Sequence, residues 1–73
     1  MSSLERGTIQ VNGVARALGS GSLVELLAEF GLDTKSRGIA VARNGQVVPR
    51  SAWPSTRLAP ADQVEIIRAL VGG

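Results

Sequence analysis

The first stretch of the chain with a regular pattern, TIQVNGVARAL, predicts a β-hairpin. Residues 8–11 alternate polar and apolar side chains, as a strand with one buried face does. Asn12-Gly13 follows at once, and this dipeptide is the strongest short-range signal for a type I′ turn. We expect residues 14–18 to form the return strand. Arg16 falls on the same side of that strand as Val14 and Leu18. The strand is therefore expected to lie at a sheet edge or to end early.

The period then changes in GSGSLVELLAEFG, where apolar residues recur at helical spacing. Ser22 stands in the N-cap position, Glu25 three residues later suits a capping box, and Gly31 suits the C′ position. These signals predict a short helix of about two turns. The side chains expected to face the core are Leu23, Leu26, Leu27 and Phe30.

A second hairpin is predicted in GIAVARNGQVVP, which repeats the design of the first. Ile39 and Val41 would face the core, and Asn44-Gly45 would form the turn. The return strand would end at Pro49, because proline has no backbone N–H to donate to the sheet.

The remainder of the chain predicts a connection followed by a last strand. RSAWPSTRLAPAD reads as irregular structure or a single short helical turn, with Trp53 as a hydrophobic anchor to the core. In QVEIIRALV, Val64 and Ile66 alternate with polar residues and so predict a strand. Ile67 falls on the opposite face, where it would contact a partner or shield an edge.

The resulting order is ββαβββ, which predicts an α+β fold. The apolar faces are buried most simply if the helix packs across one side of a mixed sheet of about four to five strands. With the last strand beside the first, this arrangement is a β-grasp. A chain of 73 residues is too short for two such cores, so we expect one domain over residues 1–73, with residues 70–73 as a flexible tail.

Composition narrows the chemistry that this domain could perform. The chain has no cysteine and no histidine, which excludes disulfides, thiol nucleophiles, imidazole bases and the common zinc sites. The net charge is +2, and the arginines are scattered without interleaved aromatic residues, so nucleic-acid binding is not expected. No apolar run approaches the roughly 20 residues that span a bilayer, and the N-terminus lacks the apolar stretch of a signal peptide. We expect a cytoplasmic protein that is monomeric when free and binds no metal or cofactor.

Candidate internal active sites are weak. Glu25 and Glu29 are four residues apart and share one face of the predicted helix, but such pairs usually form a solvated stripe opposite the core. The glycines of GSGS are not followed by the lysine of a phosphate-binding loop and read as a connector. Serine without histidine cannot form a Ser–His–Asp triad.

The ending RALVGG offers the remaining candidate, the carboxylate of Gly73. An ionised carboxylate is a poor electrophile and needs activation, for which transfer of AMP from ATP is suited. Gly72 and Gly73 have no Cβ and could enter a narrow channel in a partner enzyme. Residues 70–73 would extend about 13 Å at roughly 3.3 Å per residue. A terminal Gly-Gly can also be a frayed chain end, so the dipeptide alone does not decide the function.

Longer stretches of the chain resemble the ThiS family, the sulfur carrier proteins of thiamine biosynthesis. The resemblance lies in VARNGQVVPRSAW (41–53) and DQVEIIRALVGG (62–73), and the stretches IQVNG and SLVELLAEFGL also fit. The family usually has a Gly-Asp turn before the last strand, where this chain has Ala61-Asp62.

The resemblance implies a ubiquitin-like β-grasp and a carrier that is a co-substrate of enzymes, not a catalyst. A ubiquitin-activating-type, ThiF-like adenylyltransferase would use ATP to adenylate Gly73. A sulfur relay from a cysteine desulfurase would then form a thiocarboxylate, and a ThiG-like thiazole synthase would receive the sulfur. Gly72 would provide clearance, and Val71, Leu70 and Ile67 are candidates for partner binding.

Three alternatives stay open at this point. The small subunit of molybdopterin synthase shares the fold, the Gly-Gly end and the thiocarboxylate chemistry. A ubiquitin-like modifier would instead join Gly73 to a lysine of a target protein. A binding module would use no terminal chemistry at all.

Overall fold

The computed structural model describes residues 7–68, which form one five-stranded mixed sheet with a helix on one side. The predicted element order is confirmed, and the connection before the last strand contains a 3₁₀ helix. The elements are β1 (Thr8–Val11), β2 (Val14–Ala17), α1 (Leu23–Glu29), β3 (Ile39–Arg43), β4 (Gln46–Val47), the 3₁₀ helix (Arg50–Ser55) and β5 (Gln63–Arg68).

The sheet has the order β2-β1-β5-β3-β4, so β5 is its central strand. It pairs in parallel with β1, where Val64 lies opposite Val11, and antiparallel with β3, where Ile66 lies opposite Val41. The prediction that the last strand returns beside the first is therefore confirmed. The strand β2 lies at an edge of the sheet, as the position of Arg16 indicated.

Both hairpins turn through the Asn-Gly dipeptides. Asn12 and Gly13 have φ angles of 52° and 82°, and Asn44 and Gly45 have 52° and 83°. Positive φ at both central residues is the signature of a type I′ turn, whose twist matches that of the flanking strands. The two predicted turns are therefore confirmed.

Ser22 is the N-cap of α1 as predicted, but the capping box is only half formed. The Ser22 hydroxyl accepts a hydrogen bond from the Glu25 amide at 3.2 Å. The Glu25 carboxylate does not return to the Ser22 amide. It accepts instead from the hydroxyl of Ser20 at 2.7 Å, and this hydroxyl also accepts from the Ser22 amide at 3.2 Å. Ser20 therefore bridges the two groups that a capping box would join directly.

The end of the helix is a Schellman motif around Gly31, which has φ 75°. The Gly31 amide donates to the Ala28 carbonyl at 3.0 Å, and the Leu32 amide donates to the Leu27 carbonyl at 2.9 Å. This pattern needs a left-handed residue at C′, and glycine adopts that conformation without strain. The chain reversal turns Leu32 into the core beside Leu27.

Phe30 does not face the core, contrary to the prediction from helical spacing. The residue is 38% exposed, because Phe30 is the C-cap residue at which the backbone leaves the helix. The guanidinium of Arg16 lies 4.9 Å from the centre of its ring, and Arg16 is also paired with Glu29. Leu32, two residues further on, belongs to the core instead.

The core lies between α1 and the sheet, and Trp53 of the 3₁₀ helix closes one side of it. Trp53 is 1% exposed, and its indole N–H donates to the Val48 carbonyl at 3.0 Å. The predicted anchor is therefore confirmed, with its polar atom satisfied as burial requires. The buried cluster consists of Ile9, Val11, Leu23, Leu26, Leu27, Leu32, Val41, Trp53, Leu58 and Val64.

Candidate functional site

Of the site residues predicted from the sequence, Ile67 lies within the part of the chain that the structure describes. Gly73, Gly72, Val71 and Leu70 lie outside the described residues. The structure therefore defines the strand that leads to the predicted site, and its surroundings, up to Arg68.

The strand β5 is held from both sides by the carboxamides of the two turns. On one side, the Ile66 amide donates to Oδ1 of Asn12 at 2.8 Å. On the other, the Gln63 amide donates to Oδ1 of Asn44 at 2.9 Å. The backbone N–H of Asn44 also donates to the Gln63 carbonyl at 2.7 Å. Sequence reasoning identified both asparagines as turn residues and missed this second role, because the partners of their side chains are remote in sequence.

Asp62 connects the start of β5 to the second hairpin. Its carboxylate accepts from Nε of Arg43 at 2.7 Å, from Nδ2 of Asn44 at 3.0 Å and from the Ala59 amide at 2.8 Å. Asp62 is 6% exposed, and among residues 7–68 it is the one charged residue that is buried. The sequence signal that could have found it is the Asp of the Ala61-Asp62 turn, which falls where the family pattern also has aspartate.

Two opposing effects set the pKa of the Asp62 carboxyl. Burial raises this pKa, since it disfavours the charged form. The hydrogen bonds from Ala59, Asn44 and Arg43, together with the positive charge of Arg43, lower it. The hydrogen bonds and the charge prevail, and the pKa of Asp62 lies below its ordinary value. The carboxylate is therefore ionised and structural, and it fixes the loop from which β5 starts.

Ile67 belongs to an apolar patch on the sheet face opposite α1. It is 53% exposed and lies directly across from Ala40 of β3. Ala42, on the same face of β3, lies across from Val47, which is 74% exposed. We call the exposed members, Ala40, Val47 and Ile67, the open-face patch. The prediction that Ile67 points away from the core is confirmed.

The remaining candidates for internal chemistry do not converge on a site. Glu29 is paired with Arg16, and Glu25 is bonded to Ser20, both at exposed positions on α1. A groove of about 330 Å³ between the two turns has Glu65 as its one ionisable lining residue, so it lacks an acid–base pair. Within residues 7–68, no group of three or more potential ligands is placed to hold a metal ion. Nor does any helix in this range have the length and apolarity to span a bilayer.

Comparison with known proteins decides the family. The model of the ThiS family matches residues 9–73 of the chain. The chain belongs to the ThiS family. Its similarity to the sulfur carrier protein ThiS of Escherichia coli (strain K12) is 34% identity over 65 residues, covering 89% of this chain and 97% of that protein.

A second relative of this ThiS-family chain is a longer protein. It is the thiazole synthase of Paramagnetospirillum magneticum (strain ATCC 700264 / AMB-1), 38% identical over 64 residues. The match covers 86% of this chain and spans 19% of the length of that protein.

The ThiS fold is also seen in a solved structure. The crystal structure of the thiamine biosynthesis protein ThiS from Geobacter metallireducens superimposes with a TM-score of 0.70 at 26% sequence identity. The match covers 90% of this chain and 99% of that one. The predicted ubiquitin-like β-grasp and the predicted sulfur carrier of the ThiS family are thus confirmed.

Proposed function

We propose that the chain carries sulfur for thiazole formation in thiamine biosynthesis, and that the carboxylate of Gly73 is the group that holds the sulfur. The observation that carries this proposal is the relation to the sulfur carrier ThiS along 97% of that protein's length. The match of the family model runs to Gly73 and so includes the Gly-Gly pair.

The chemistry follows from the properties of a carboxylate. One oxygen of Gly73 attacks the α-phosphorus of ATP and displaces pyrophosphate, which gives an acyl-adenylate. The terminal sulfur of a persulfide on the desulfurase relay then attacks the acyl carbon and displaces AMP, which gives an acyl disulfide. A thiol such as free cysteine attacks the relay's sulfur in that disulfide, so that the relay and the thiol leave as a new disulfide and Gly73 is released as a thiocarboxylate. Gly72 allows close approach of the partner's backbone, because it has no Cβ to collide with a narrow channel. ATP is used by the partner enzyme, and the carrier acts as a co-substrate.

Three partners complete the proposed cycle. A ThiF-like adenylyltransferase activates Gly73, a cysteine desulfurase relay supplies the sulfur, and a thiazole synthase receives it. The last partner is supported by the thiazole synthase of Paramagnetospirillum magneticum, in which a segment similar to this chain occurs. We propose that Leu70, Val71 and Ile67 contribute to docking, and that the free carrier is a cytoplasmic monomer.

The decisive test is reconstitution followed by intact-mass measurement. Purified carrier is incubated with the adenylyltransferase, ATP, the cysteine desulfurase and cysteine. We expect a mass gain equal to the replacement of one oxygen by sulfur, located at Gly73 by fragmentation. A variant lacking Gly73 and a variant extended by one alanine serve as controls, and both should keep their starting mass. A wild-type carrier that stays unmodified while the desulfurase carries persulfide would contradict the proposal.

A second experiment assigns the pathway. Deletion of the gene should create a requirement for thiamine that the wild-type gene relieves and the variant lacking Gly73 does not. A requirement for molybdenum cofactor instead would favour the molybdopterin synthase subunit. Conjugates of higher mass in extracts would favour a protein modifier.

A further inference from the structure

Positive charge gathers where β5 approaches the tail. The strand reaches Arg68, which lies directly opposite Ile39, the first residue of β3. The guanidinium of Arg50 donates to the carbonyls of Ile39 at 3.3 Å and Thr34 at 2.8 Å. The segment that leads into β3 adds two more cations. We call these four residues the exit cluster: Lys35, Arg37, Arg50 and Arg68.

Within residues 7–68, no acidic side chain forms an ion pair with the exit cluster. The ion pairs formed within residues 7–68 join Arg16 to Glu29 and Arg43 to Asp62, and neither involves the cluster. The nearest acid in sequence is Asp33. Its carboxylate accepts a hydrogen bond from the backbone N–H of Lys35 at 2.7 Å and so stabilises the local turn. All four cations are exposed. The charge of the cluster is therefore available to another molecule.

The position of the cluster relates it to the reacting end of the chain. Residues 69–73 span at most about 17 Å when extended, at roughly 3.3 Å per residue. Any enzyme that holds Gly73 in its active site must therefore bring its surface close to Arg68. The nucleotide reacts at Gly73, at the far end of this span. The cluster consequently faces the rim of the partner's channel and not the phosphates of ATP.

We propose that the exit cluster docks on an acidic protein surface that borders the entrance to the channel for residues 69–73. This inference rests on the proposed function, since it needs an enzyme that receives Gly73. Complementary charge at such a rim accelerates encounter and orients the two surfaces before the tail enters. The cluster supplies the long-range attraction in this encounter.

Charge reversal tests the proposal on the intact carrier, with the ThiF-like adenylyltransferase of the same organism as the probe. Arg37→Glu and Arg68→Glu are made singly and together. Arg50 is left unchanged, because it also lies over the ring of Trp53 at 4.4 Å and supports the fold. The matched control is Arg57→Glu, an exposed arginine that donates to the Ser20 carbonyl near the start of α1. Unfolding followed by the fluorescence of Trp53 verifies that each variant is folded.

The readout is the association rate measured by stopped flow from low salt to about 1 M salt, where the screening length falls to about 3 Å. Each single reversal should slow association about 10-fold at low salt, and the double reversal more, with the differences closing at high salt. Arg57→Glu should change the rate less than about 2-fold. An equal effect of Arg57→Glu, or wild-type rates in the double variant, would overturn the inference.

Two further readouts separate this inference from the proposed function. Thiocarboxylate formation at saturating enzyme should persist in the variants, because the reacting group is unchanged. If the wild type forms thiocarboxylate and the double variant associates at the wild-type rate, the exit cluster has no docking role and the proposed function stands. If the wild type neither binds the enzyme nor forms thiocarboxylate, both fail. Salt-sensitive binding of a short DNA duplex that is lost in the same variants would assign the cluster to nucleic acid and overturn its assignment to an acidic protein.

Discussion

The carboxamide of Asn12 pairs with the main chain of Ile66 through two hydrogen bonds, although the residues are 54 positions apart. The Ile66 amide donates to Oδ1 at 2.8 Å, and Nδ2 donates to the Ile66 carbonyl at 3.3 Å. The backbone N–H of Asn12 donates to the Val64 carbonyl at 2.9 Å. The side chain thereby continues the pairing of β1 with β5 beyond the point where the main chain of β1 turns away. It stabilises the strand that leads to the tail.

Two substitutions at Asn12 separate its turn role from its side-chain role. Asn12→Gly keeps the positive φ but removes both side-chain hydrogen bonds, and should lower the free energy of unfolding by about 1 kcal/mol. Asn12→Ala also introduces strain in the left-handed region, and should lose about 1 kcal/mol more. Urea denaturation followed by Trp53 fluorescence measures both. Equal stability of Asn12→Gly and the wild type would show that the pairing with Ile66 contributes nothing.

Removal of the buried charge at Asp62 should be among the most damaging single changes. Asp62→Asn leaves Arg43 without its partner and weakens the bonds to Asn44 and Ala59, so we expect a loss of about 2–4 kcal/mol at neutral pH. Glu65→Gln, at an exposed position on β5, is the control and should stay within about 0.5 kcal/mol. Denaturation midpoints of both variants at pH 7 give the comparison. An Asp62→Asn protein as stable as the control would contradict the assigned role of the carboxylate.

Acid should selectively remove the contribution of Asp62. Its pKa is lower in the folded chain than its ordinary value of 3.8, so the folded state binds the proton more weakly than the unfolded state. The stabilisation is therefore fully present above the ordinary value and is lost as the pH falls through the folded-state pKa. The stability difference between the wild type and Asp62→Asn should shrink as the pH is lowered from 7 to about 2. A difference independent of pH would argue that packing, not charge, accounts for the effect.

Ala61 is held with φ 72°, a conformation that favours glycine. Ala61→Gly should relieve this strain and raise the free energy of unfolding by about 0.5–1 kcal/mol. Ala59→Gly in the same loop is the control, since Ala59 is not among the residues with positive φ. It should lower stability by roughly 0.5 kcal/mol, because glycine only adds freedom to the unfolded chain there. The prediction fails if both glycine variants are destabilised alike.

The open-face patch should affect binding without affecting folding. Ile67→Asp places a charge in the patch, and should weaken binding to the adenylyltransferase by about 10-fold or more. Val14→Asp, at an apolar position of β2 that is 63% exposed, is the matched control and should bind normally. Titration by calorimetry gives both affinities, and the unfolding midpoints of the two variants should agree. Equal affinities would remove Ile67 from the docking surface.

Local patterns were sufficient for the order of elements, for both type I′ turns and for the N-cap of α1. Each of these features depends on groups only a few residues apart, such as the Asn44-Gly45 pair with positive φ or the Ser22 hydroxyl three residues before its donor. The same patterns failed at Phe30, since helical spacing assumes that the helix continues. The Schellman motif at Gly31 turned the chain, and Leu32 belongs to the core instead.

The absence of cysteine and histidine, together with RALVGG, was also enough to direct attention to Gly73 before any fold was known. Three-dimensional packing was needed to show how β5 is supported. The bonds from Asn12 to Ile66 and from Asp62 to Arg43 and Asn44 join residues between 18 and 54 positions apart. Such contacts depend on sheet order and loop closure, which bring remote groups together. No pattern within a single element encodes them.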